Sequence, residues 1–122
     1  MLIDLDNPVI RLCLAGSQAE FEHRLDDAQR LYQRAWTIAA DDYEACIAAH
    51  YMARHQAVPE ETLRWNQIAL DRAEAAAPDR VGEFYPSLYL NLGHSYEALG
   101  LQAEAQHYYE LAAGLGVIHR AG

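Results

Sequence analysis

The chain has 122 residues, enough for one domain whose core needs neither a metal nor a disulfide. Its formal net charge is −9, and each of its nine Lys-or-Arg positions is arginine. An acidic surface repels phosphate backbones, which disfavours generic binding to nucleic acid or to anionic membranes. Ala, Leu, Glu, Gln and Arg dominate, all good helix formers, and β-branched runs bounded by turns are missing.

The first residues, MLIDLDNPVIRLCLAG, place acids before the apolar stretch and lack a basic n-region, so they do not read as a secretory signal. Asn7-Pro8 opens helix one, expected over about 8–22. Cys13 within it and Cys46 later have no metal spacing and read as small buried residues in a reducing cytoplasm. Helix two is expected over 25–40, with Asp26 and Asp27 favouring its N-terminal dipole. Asp41-Asp42 opens helix three, to about His55. Pro59-Glu60-Glu61 starts helix four, which should reach about Ala77 and stop before Pro78. DRVGEFYP is a linker with room for one helical turn. Helix five is expected from Pro86 to Gly100, and helix six from Gln102 to Gly114. No apolar run approaches the ~18 residues of a membrane span.

The second helices repeat. Ala28, Tyr32 and Ala35 match Ala105, Tyr109 and Ala112 in spacing, and Thr62, Asn66 and Ala69 keep it with weaker residues. From Ala28 to Thr62 is 34 positions; from Thr62 to Ala105 is 43, and the nine extra fall where helix four lengthens and DRVGEFYP follows. Tyr89, Leu92, Gly93, Tyr96 and Gly100 complete the pattern before Ala105. Leu12, Ala15, Gly16 and Ala19 supply the first unit, with His23 where a loop glycine is usual. Read without a gap, the middle unit puts His50 at the Gly93 position. One extra loop residue puts Ala49 there instead, aligns AAHYM with LGHSY and matches His50 to His94, the preferred register because an imidazole would hold the helices apart.

This period and these residues resemble the tetratricopeptide repeat (TPR). The resemblance implies an all-α domain of three antiparallel hairpins stacked as a short right-handed superhelix, an α-solenoid. Its units would be 8–40, 41–77 and 86–114, with a linker at 78–85. It also implies a non-catalytic module that binds an unidentified protein or peptide in the concave groove. Carried over position by position, the groove is lined by Cys13, Ser17, Glu20 and Phe21 from unit one. Tyr43, Ile47, His50 and Arg54 follow from unit two, and Ser87, Asn91, His94 and Glu97 from unit three. The subclass that grips C-terminal carboxylates of chaperone peptides needs cations that Cys13, Ser17, Ile47, Ser87 and Asn91 do not provide. Arg54 flanked by Glu20 and Glu97 implies a weakly acidic groove that suits a polar or basic segment.

The remaining motifs favour structure over chemistry. Gly93 and Gly100 read as a close helix crossing and a left-handed cap, and no strand precedes them as a phosphate loop requires. Tyr32, Tyr89, Tyr96 and Tyr109 read as core. Trp36 and Trp65 should pack between units or under the linker. The histidines form no HExxH, so no metal and no cofactor is expected; His50 and His94 together read as polar groove residues, with a carboxylate or peptide carbonyl as the sharper alternative. No nucleophile elbow and no Cys-His spacing occurs, so no enzyme is expected. A second function class is self-association. Only GLGVIHRAG follows helix six, too short for a capping helix, so Leu101, Tyr108, Leu111 and Leu115 would form an apolar patch that pairs two copies unless Val117-Ile118 folds over it.

Overall fold

The computed structural model describes residues 4–116; Val117 and Ile118 lie outside the described residues. Those residues form an all-helical protein without strands. Its helices are α1 (Pro8–Phe21), α2 (Leu25–Ile38), α3 (Asp42–Met52), α4 (Pro59–Ala75), a single turn α5 (Pro78–Val81), α6 (Tyr85–Ala98) and α7 (Gln102–Gly114). A 3₁₀ turn at Gly82–Phe84 joins α5 to α6. The long helices pack in adjacent pairs, α1 with α2, α3 with α4 and α6 with α7. The pairs join through α1 and α2 against α3, and through α4 against α6.

Local chemistry sets the ends. Asn7 Oδ1 accepts from the amides of Val9 and Ile10 at 2.9 and 3.2 Å, satisfying orphan donors of α1. Its Nδ2 donates to Glu44 Oε2 at 2.9 Å, tying the start of α1 to α3. Asp41 caps α3 through the amide of Glu44 at 2.8 Å, and Glu44 Oε1 in turn accepts from the amide of Ala40. The third helix stops at Met52, short of the expected His55. The carbonyls of Met52 and His55 are taken there by the side chains of Gln56 and Gln29. The linker is more ordered than expected: Val81, at the end of α5, is fully buried in the main core cluster with Leu88 and Leu92.

Two crossings hold the first and last hairpins closed. A Cβ added at Gly16 would overlap the ring of Tyr32, and one added at Gly93 would overlap the ring of Tyr109. In each case a tyrosine ring of the second helix closely approaches a bare backbone on the first. The close partner of Gly93 is the Tyr109 ring, and Ala105 and Ala112 on the same helix are also buried. In the middle hairpin, fully buried Ala49 and buried Asn66 occupy the same register positions. Trp36 and Trp65 meet edge to face, with ring centroids 5.0 Å apart, and link the first hairpin to the second.

The turns after α1 and α6 are built alike. His23 has φ +62° and Gly100 has φ +76°, so the left-handed position expected of glycine is adopted by an imidazole-bearing residue in the first hairpin. A left-handed backbone costs a residue with a Cβ about 1–2 kcal/mol. His23→Gly is thus expected to raise stability by about 1 kcal/mol. Gly16→Ala and Gly93→Ala are expected to lower it by about 1–3 kcal/mol, because ring displacement outweighs the gain in helix propensity. Gly114→Ala, where the new methyl meets nothing, should stabilise slightly. Urea unfolding of the four variants at neutral pH measures all of these.

Candidate functional site

The crossings carry a polar extension. The Tyr32 hydroxyl donates to Glu20 Oε1 on α1, and Ser17 Oγ lies 3.5 Å from the same hydroxyl. Arg54, just past α3, grips Glu20 from the next hairpin, with Nε 2.9 Å from Oε1 and Nη2 2.9 Å from Oε2. His55 Nε2 stands 3.2 Å from Glu20 Oε2, near enough to pair when protonated but outside hydrogen-bond geometry. The Glu20 side chain is only 11% exposed. Burial works to raise its pKa, but hydrogen bonds from Arg54 and Tyr32 and the Arg54 charge outweigh it and hold the carboxyl at about 2. The Tyr32 phenol is pushed up to about 12, by burial first and then by that carboxylate. Burial first, and then the nearby charge of Glu97, raises the Tyr109 pKa.

Two clefts open beside α3, one lined from α1, α3, the 3₁₀ turn and α6, the other from α3, α4 and α6. The apolar one has a volume of about 310 Å³ and runs from Ile10 and Leu14 on α1, past Tyr43 and Ile47 on α3, to Phe84 and Ser87. Tyr43 stacks on Phe84 at 6.0 Å, and the Arg80 guanidinium sits 3.8 Å over the Tyr43 ring. Cys13 and Cys46 border this cleft, both as free thiols. Burial pushes each to about 12, so neither supplies a thiolate near neutral pH.

The polar cleft, about 490 Å³, lies between the second and third hairpins. Arg54, Thr62, Asn66, Asn91, His94 and Ser95 give it its polar wall. Asn66 Nδ2 donates to Ser95 Oγ at 2.8 Å, a buried pair that joins α4 to α6. His50 borders both clefts. Asn91 Nδ2 lies 3.3 Å from His50 Nδ1; with the amide as donor, the imidazole proton stays on Nε2. Burial, helped by the Arg54 charge, lowers the His50 pKa, so the ring is neutral at pH 7 and contributes a dipole rather than a charge.

The residues expected to line one groove are thus divided. Tyr43, Ile47 and Ser87 border the apolar cleft; Arg54, Asn91 and His94 border the polar one; His50 belongs to both. Ser17 and Glu20 are held in the tyrosine network, and Glu97 stands beside Tyr109. Phe21 borders neither cleft and is 82% exposed. Of the two acids expected to make the groove acidic, Glu20 is bonded to Tyr32 and Arg54, and no Asp or Glu lines the polar cleft. Sequence reasoning passed over Asn66, Ser95, Ala53 and Ala98. Among the described residues no group of three or more His, Cys, Asp or Glu is arranged to hold a metal ion. None of their helices is long and apolar enough to cross a membrane.

Of the expected self-association residues, Leu101, Leu111 and Leu115 are exposed. Tyr108 instead is half-buried, stacked on Tyr96 with centroids 5.6 Å apart and near Tyr89 at 6.2 Å. Comparison with family models, with curated proteins and with solved structures gives no match.

The Glu20 network has a pH signature. The folded-state pKa lies below the ordinary 4.5, so its stabilisation is complete above about pH 4.5 and fades as pH falls toward 2. Between pH 7 and pH 3 this group should remove at most roughly 2 kcal/mol, because water screens the half-exposed Arg54. Glu20→Gln should be less stable at pH 7 and lose less on acidification than the parent. Urea midpoints at the two pH values measure the difference.

Proposed function

We propose that the chain is a non-catalytic binding module of tetratricopeptide type. In this reading its three hairpins stack as a short right-handed superhelix, and a peptide or protein segment lies along α1, α3 and α6. The observation that carries it is the continuity of the two clefts at His50, which offers one side of the molecule an apolar seat and a polar seat in succession. The matched crossings Gly16–Tyr32 and Gly93–Tyr109 and the matched turns at His23 and Gly100 support the repeat on which the reading stands. An extended segment satisfies such a surface with side chains in the apolar seat and backbone or carboxylate groups at the amides and imidazoles.

A random-peptide library displayed against the immobilised chain tests this. Enriched peptides should lose at least tenfold in affinity on Ile47→Arg, which puts an unpaired charge in the apolar cleft. They should keep it on Phe21→Ser, a change outside both clefts. Absence of enrichment, or indifference to Ile47→Arg, would overturn the reading.

Self-association through α7 is the second reading, favoured by one observation. Leu101, Tyr108 and Leu111 stand in register with Val58, Trp65 and Ile68, and Trp65 and Ile68 pack in the core cluster that includes Leu88 and Leu92 of α6. The face by which α4 receives another hairpin therefore recurs on α7 with Leu111 and Leu115 exposed. A dimer so formed should dissociate on Leu111→Glu, and light scattering over a range of concentrations reads the mass. A monomer at every concentration rules the dimer out.

A further inference from the structure

The junction between the first two hairpins and the junction between the last two are built on the same register but filled differently. At the first junction the rings of Tyr32 and Tyr51 pack with centroids 5.3 Å apart, and Glu20 pairs with Arg54 beside them. At the second junction every one of these four positions holds a smaller side chain. Asn66 stands for Tyr32, Ser95 for Tyr51, Ala53 for Glu20 and Ala98 for Arg54. The small polar pair satisfies itself through the Asn66–Ser95 hydrogen bond, so the site does not collapse around an unpartnered group. All four residues border the 490 Å³ polar cleft. The cleft is the space that two rings and an ion pair occupy one repeat earlier.

We propose that this cleft is a binding pocket for an aromatic carboxylate, either a free acid or the C-terminal aromatic residue of a partner. Of the groups that are missing, a ring and a carboxylate are the ones this lining, which holds Arg54 and no acid, can receive. Val58, Pro59 and the alanines give the ring an apolar seat, and the volume suits a single aromatic residue with its backbone. The other walls present donors: Asn91, Thr62 and Arg54, which spends Nε and Nη2 on Glu20. With no acid in the lining, a ligand carboxylate meets no like charge, whereas a cationic ligand finds no partner. Because Glu20 already offsets Arg54, affinity is expected to be modest and to come from the ring as much as from the charge. The proposal rests on the reading of the α1, α3 and α6 side as the binding side, and narrows it to one ligand chemistry.

The probes are N-acetyl-tyrosine, its amide, and a short peptide ending in tyrosine with a free carboxylate, titrated into the ¹⁵N-labelled chain. Side-chain amide signals of Asn66 and Asn91 should shift with N-acetyl-tyrosine, which should bind at least fivefold tighter than the amide. Ala98→Leu, a substitution at an exposed edge of the cleft, should weaken the acid at least fivefold. The double variant Ala53→Glu with Ala98→Arg restores the ion pair of the first junction and should abolish binding. Phe21→Ser, outside both clefts, should leave it unchanged. The proposal is overturned if acid and amide bind alike, or if the folded Ala98→Leu variant binds as the parent does. Binding of the acid without the peptide supports the pocket, assigns it to a small molecule and counts against the protein-binding reading. Peptides that respond to Ile47→Arg while the acid does not bind leave that reading standing and remove this one.

Discussion

The tyrosine laid on a glycine is the contact from which the rest of the structure follows. At Gly16 and Gly93 a hydrogen replaces a side chain, and the rings of Tyr32 and Tyr109 fill the space. Only a bare backbone permits that approach, which is why a residue that weakens helices stands inside two of them. The contact fixes the distance between the helices of a hairpin and the direction of each tyrosine hydroxyl. In the first hairpin the Tyr32 hydroxyl then meets the Glu20 carboxylate one turn along α1, and that carboxylate becomes available to the next hairpin. In the first junction Arg54 accepts the offer, so a packing contact within one hairpin becomes an ionic contact between two.

The middle hairpin lacks both partners of this contact, and other interactions replace it. Ala49 is fully buried, and the register position of the ring holds Asn66, whose amide is spent on Ser95. Two large aromatic residues move the load elsewhere: Trp65 packs edge-on to Trp36 behind it, and Val81 in the linker closes the far side of the same core cluster. The longer α4 and the ordered α5 turn follow from this. With no ring at the crossing, apolar surface must be buried beyond it, and the nine extra positions after the second repeat supply the residues that do so.

Much of this was legible in the sequence. The helices, their order and the pairing of neighbours follow from apolar periodicity, from Asn7-Pro8, Asp41 and Pro59, and from short loops. The Ala-Tyr-Ala spacing located the second helices, and the glycines marked the crossings. His23 was legible as a glycine position, though not as one whose strain is kept. What periodicity could not show is which group meets which. Glu20 is spaced as a groove residue, yet a tyrosine from another helix claims it, and helix-face arithmetic on one helix cannot see that. Phe21 is an aromatic residue at a groove position, but it stands at the end of α1, where the chain turns away and the ring goes to water. The signal for the polar cleft was present but negative: it lies in four residues being small, and becomes visible only when the two junctions are laid side by side.

That comparison also separates a weak repeat from a modified one. If the middle unit had merely drifted, loss of Tyr32-like and Glu20-like residues would leave orphaned partners at the junction, a buried hydroxyl or an unpaired arginine. Instead the losses are matched across three helices. Where the ring becomes Asn66, the facing ring becomes Ser95 and the two bond; where the carboxylate becomes Ala53, the guanidinium becomes Ala98. A junction that keeps its polar groups satisfied while losing its filling is less stable than its neighbour by the packing it forgoes. The Trp36–Trp65 contact and buried Val81 offset that loss outside the cleft, leaving the cleft itself open toward α3 and α6. Stability and an open seat are thus supplied by different residues, which is the arrangement that lets a binding surface vary without unfolding the scaffold beneath it.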